Sequence, residues 1–203
     1  MTIAPPSRPR RGARTRALLA GGLVLGIGGA VTLASWSDSE WATTLFQSAS
    51  FNLEGSVDGG VFEEHSTQGA AGVLDFTAQA DNLRPGQQTA QAFSVRLDDT
   101  TTIPGVVTTA AQATGTAAAS LSYGIVAVDA VSDCGPGIAG TQTVVPTGTA
   151  LGSATGATSF TLQPGAAGAA GEAVHLCIQI TAADDIAQNA QATASWQFTA
   201  TTE

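Results

Sequence analysis

The chain contains no lysine, and five of its seven arginines, Arg8, Arg10, Arg11, Arg14 and Arg16, fall in the first sixteen residues. Beyond them only Arg84 and Arg96 are basic, whereas all 16 acidic residues lie at or after Asp38. The part past residue 35 therefore carries 2 positive and 16 negative side chains, a net −14 with neutral histidines. Such a surface repels polyanions, which removes nucleic acid and anionic lipid as its default partners. Other scarcities narrow the chemistry further. There are only two histidines and two cysteines. The zinc-protease pattern of two histidines four apart with a glutamate between them is missing, and so are the G-x-S-x-G nucleophile elbow and the EF-hand spacing of acidic residues. Helical periodicity is rare; only "AADDIAQNAQ" could form a turn or two, and it reads better as a loop joining the last two strands.

What the chain does have is an asymmetric start. The basic stretch ending "RPRRGARTRA" runs into "LLAGGLVLGIGGAVTLA", an uncharged run of about seventeen residues that ends in small ones. A basic n-region (1–16), an apolar h-region (17–34) and small residues at the exit make an export signal over 1–35, with a single exported domain over 36–203. The alternative is an uncleaved anchor, because a run of ~17 residues is at the lower limit for spanning the bilayer as a helix. Five glycines between positions 21 and 29 weaken such a helix and favour cleavage. Either way the body of the protein lies outside the cytoplasm, and the membrane is met only through the N-terminal segment. In that oxidising setting the even cysteine count reads as a Cys134–Cys177 disulfide, the alternative being two free buried thiols.

The exported part alternates with period two. "QAFSVRLD" places Phe93, Val95 and Leu97 on one face, "SLSYGIVAVDA" does so with Leu121, Tyr123 and Ile125, and "AVHLCIQIT" with Val174, Leu176, Ile178 and Ile180. "ATASWQFTAT" sets Ala194, Trp196 and Phe198 against Ser195, Gln197 and Thr199. Weaker strands are "ASFNLEG", "VLDFTA", "TQTVVP" and "TSFTLQ", separated by turn formers such as "NLRPGQQ" and "CGPG". The expected fold is all-β, an antiparallel sandwich or jelly roll. The Gly/Ala run from Pro164 to Gly171 reads as a mobile loop.

No catalytic residue and no cofactor are expected. Glu63, Glu64 and His65 in "FEEHS", with His175 in "AVHLC", are the candidate metal ligands should the fold bring them together. The spacing does not require it, and a solvated acidic turn plus a strand histidine is the simpler reading. The pairs Asp98-Asp99 and Asp184-Asp185 are read as ordinary turns rather than calcium sites.

The stretch "GGAVTLASWSDSEWATTLFQSASFNLEG" resembles the export junction of the TasA/camelysin family, in which Thr32, Ala34, Ser35, Trp36, Asp38, Phe46, Phe51 and Leu53 occupy the family's places. "DNLRPGQQTAQAFSVRL" is similar to the family's turn before an alternating strand, and the ending from Leu176 resembles its penultimate loop and last strand. Residues 100 to 165 carry no such likeness. The Arg-only, Ala-rich composition is similar to that of actinobacterial exported relatives. The resemblance implies a jelly-roll β-sandwich, cleavage at Ser35 and Trp36 by a SipW-type signal peptidase, and export to the cell surface or a biofilm-type extracellular matrix. It divides on activity: some members build matrix fibres, others are classed as metalloendopeptidases, and the ligand motif a peptidase needs is missing here. The expectation is a non-enzymatic structural protein, with the signal peptidase as its partner in export. Two readings of the aromatic-bearing segment Trp36 to Leu53 stay open: it adds as a strand to a neighbouring copy, or its aromatics cover the protein's own core and the protein stays a monomer. A camelysin-like peptidase is the alternative.

Overall fold

The computed structural model describes residues 12, 15–19, 22, 43–44, 48–76, 83–166 and 168–202. The chain divides into two units, Met1–Phe46 and Gln47–Glu203. In the first, residues 15–19 are helical; among the described residues no helix is long and apolar enough to cross a membrane. The export junction, Ser35 and Trp36 included, lies outside the described residues.

The second unit is built from eight strands: β1 (Leu53–Ser56), β2 (Gln88–Leu97), β3 (Gly105–Thr114), β4 (Leu121–Val128), β5 (Gln142–Ala150), β6 (Phe160–Leu162), β7 (Val174–Ala182) and β8 (Thr193–Thr201). Among the described residues of this unit, helix is limited to single 3₁₀ turns at Gln68–Ala70, Ala118–Ser120 and Val131–Asp133. The strands form a five-stranded sheet in the order β1-β2-β7-β4-β5 and a three-stranded sheet in the order β6-β3-β8, every pair antiparallel.

The alternation in sequence decides what each face does. Val95 and Leu97 of β2, Leu121, Tyr123 and Ile125 of β4, and Leu176, Ile178 and Ile180 of β7 all point inward from the larger sheet. They share one core with Val107 of β3, Phe160 and Leu162 of β6, and half-buried Trp196 and Phe198 of β8 from the smaller one. Two antiparallel sheets contributing alternate residues to one core make a sandwich-like architecture, as the period-two pattern requires.

The outer face of the larger sheet is covered as well. Val126, Val128 and Cys177 form a second apolar patch, against which Cys134 and Ile138 of the β4–β5 connection pack. Cys134 and Cys177 are joined in a disulfide with Cα atoms 5.1 Å apart. Beside it the buried Gln179 amide accepts from Gly137 N at 2.7 Å and donates to Ile138 O at 3.0 Å, so one side chain satisfies two backbone groups of the loop it holds down.

Two elements depart from the sequence expectation. β3 is a full ten-residue strand, although "GVVTTAAQAT" alternates Ala, Thr and Val with too little polarity contrast to be read as one. Residues 73–76 of "VLDFTA" are not strand. The glycine run is loop where it is described, and its last residue is enclosed: Gly171 N donates to Leu97 O at 2.9 Å, and a Cβ on Gly171 would lie 2.2 Å from Gln163 O. The turn "RPGQ" is as its residues dictate, with Gln87 N donating to Arg84 O at 3.0 Å and Gly86 at φ +72° after Pro85.

Candidate functional site

β2 is the strand around which the candidate residues are arranged, because its successive side chains go to opposite faces of the sheet. Phe93 points inward; there it meets the His65 ring at 6.4 Å between centroids and stacks on Phe198 at 5.7 Å. Ser94 points outward, and its Oγ lies 2.7 Å from Nδ1 of His175, its cross-strand partner on β7. The two histidines are therefore on opposite sides of one sheet and do not share a site.

The acidic residues near His65 have structural partners instead. Glu63 pairs through its backbone with Gly55, both hydrogen bonds at 2.9 Å, and so extends the ladder past β1. Glu64 accepts from Asn52 Nδ2 at 2.8 Å, and His65 Nδ1 lies 3.0 Å from Ala70 O. Among the described residues no group of three or more His, Cys, Asp or Glu side chains is placed to hold a metal ion. Asp98 is saturated by the chain's own donors: Thr101 N at 2.8 Å, Thr101 Oγ1 at 2.7 Å, Thr100 N at 3.1 Å, Thr100 Oγ1 at 2.9 Å and Asn52 Nδ2 at 3.2 Å. Burial raises the pKa of its carboxyl, but these hydrogen bonds outweigh it and hold the group below its ordinary value. It is a clamp on the β2–β3 turn.

The Ser94–His175 pair was invisible in the sequence, since the two residues are 81 positions apart and only the β2–β7 register joins them. A hydroxyl 2.7 Å from an imidazole nitrogen is the first contact a serine nucleophile needs. It also needs access, and Ser94 is fully buried, with Ser56 opposite it on β1 and Val131 close by. With no route for substrate to Oγ, the pair is a polar stitch between β2 and β7. Arg96, one of the two basic side chains past residue 35, is similarly committed. Its guanidinium bonds Glu54 at 3.1 Å directly across β1–β2 and lies 4.0 Å above the Phe62 ring.

A groove lies between the sheets. β1 adds to β2 and not to β8, so the described residues leave a groove of about 2280 Å³ along that side. Its walls are Phe51, Leu53 and Phe93 on one sheet's side and Trp196 and Phe198 on the other's, with Phe76 6.2 Å from the Trp196 ring. Phe51 and Leu53 thus pack into their own domain, which settles that end of the aromatic segment; Trp36, Trp41 and Phe46 lie outside the described residues. β8 borders the groove, and its outer edge pairs with no strand among the described residues. Neither the scan against models of known protein families nor the search of curated proteins finds a match to this chain.

Proposed function

We propose that this is an exported, non-enzymatic structural protein of the cell surface or extracellular matrix, of the TasA/camelysin kind. In this reading a SipW-type signal peptidase releases it at Ser35 and Trp36, and it self-associates by β-strand addition. The carrying observation is β8, a long edge that pairs with no strand among the described residues and lies beside an apolar groove. An edge of that kind presents a row of free N–H and C=O groups to another strand.

The pairing pattern also supports a jelly roll. In that fold a long antiparallel hairpin is rolled up, so that strands pair in nested sets, and β2–β7, β3–β6 and β4–β5 are three of the four sets. The fourth, β1–β8, is missing because β1 has moved to β2, and its absence is what leaves the groove and the β8 edge open. The peptidase alternative draws no support from His65 and His175, which the sheet separates.

N-terminal sequencing of the protein recovered outside the cell, followed by electron microscopy and light scattering of that material, tests the reading. The expected result is a chain beginning at or next to Trp36 that forms oligomers or fibres. A protein retained in the cytoplasm, or chelator-sensitive proteolysis by the pure protein, would overturn it.

A further inference from the structure

Among the described residues four strand edges bound the two sheets, and three of them are blunted. β1 has four residues and is bridged onward by Glu63. β5 carries Pro146, a positive-φ Gly148 and two register irregularities against β4. β6 is three residues long. β8 has none of these devices: its nine residues, "TASWQFTAT", include no proline, glycine or charge, and no charged residue occurs from Ile186 to Thr202.

β8 is also self-complementary. An antiparallel pair of two β8 strands centred on Gln197 sets Thr193 opposite Thr201, Ala194 opposite Ala200, Ser195 opposite Thr199 and Trp196 opposite Phe198. Small residues meet small at the ends, the two aromatics meet in the middle on the groove side, and polar residues meet on the outer face. The same match occurs twice about a two-fold axis, which is the condition for a closed isologous contact. On a body with a net −14, this is also a stretch where two copies can approach without placing like charges together. Gln68, exposed, donates from Nε2 to Ser195 Oγ of β8 at 3.4 Å, a contact cheap to displace.

We infer that the partner of β8 is β8 of a second copy, the two three-stranded sheets joining into one six-stranded sheet across a two-fold axis at Gln197. The inference rests on the strand-addition reading and names its donor. Association is thereby closed at this edge, so a dimer is the unit from which anything larger grows.

The test uses the exported protein. Sedimentation equilibrium is expected to give a dimer, and oxidised Gln197→Cys should cross-link to itself through residue 197. Thr193→Cys and Thr201→Cys should each fail to self-link but should link to one another when mixed. Ser195→Lys with Thr199→Lys in one chain sets like charges in opposition twice and is expected to weaken dimerisation at least tenfold. Ser195→Lys with Thr199→Glu sets opposite charges together and should restore it, which controls for folding because both variants alter the same two positions. A dimer indifferent to the double-lysine variant, or no link through residue 197, overturns the β8 pairing. If fibres or oligomers persist then, strand addition stands with another donor; a monomer under all conditions removes both.

Discussion

At the scale of single residues, the strongest polar commitment is Asp98, which receives backbone and side-chain donors from Thr100 and Thr101 and an amide from Asn52. Its carboxyl is held below 3.8 in the fold, burial being outweighed by those bonds, so the stabilisation is present above the unfolded value and is lost as pH falls through the folded one. Asp58 is lowered in the same sense by Gly60 N, Ser56 Oγ and Val61 N. Thermal melts should therefore fall steeply below about pH 4, and Asp98→Asn should lower stability by about 2 kcal/mol at pH 7 while flattening that acid limb. An acid limb unchanged by the substitution would show that the clamp does not carry it. Ser94 offers a different check. Because its Oγ is enclosed beside His175, a fluorophosphonate serine probe is expected to leave it unlabelled in the folded protein. Labelling at Ser94 would reopen a hydrolase reading.

At the scale of elements, the β4–β5 connection depends on one covalent tie. The Cys134–Cys177 bond closes a separation of 43 residues, for which chain entropy predicts about 4 kcal/mol. Cys134→Ser with Cys177→Ser is expected to lower stability by that order, read from denaturant midpoints, and to expose Val126 and Val128 to a hydrophobic dye. The four strands with strong contrast, β2, β4, β7 and β8, were legible down to which residue faces the core. Leu, Ile and Phe alternating with Ser, Gln and Arg set all the large apolar side chains on one face, and that face goes to the core. β3 was not legible, since Ala and Thr tolerate either side and its partners β6 and β8 alone decide that Val107 goes inward. The pairing of Cys134 with Cys177 followed from counting. The Ser94–His175 contact did not, because register across 81 residues leaves no local trace.

At the scale of the whole molecule, charge and edge act against each other. Two copies, each with a net −14 past residue 35, repel at long range, while the uncharged β8 edge attracts only at contact. Salt shortens the reach of the first, from roughly 30 Å at 0.01 M to about 8 Å at 0.15 M, and leaves hydrogen bonding and apolar contact nearly untouched. Self-association should therefore tighten with salt, by about tenfold over that range, as read from sedimentation at fixed pH. An interface held by opposed charges would behave the other way, loosening as salt rises. The Ser195→Lys/Thr199→Glu variant supplies the internal comparison, because its added contacts are ionic: its dimer should gain less from salt than the wild type. Equal salt slopes for the two proteins would mean that the contact surface lies away from β8, since only there do the substitutions change what the copies present to each other.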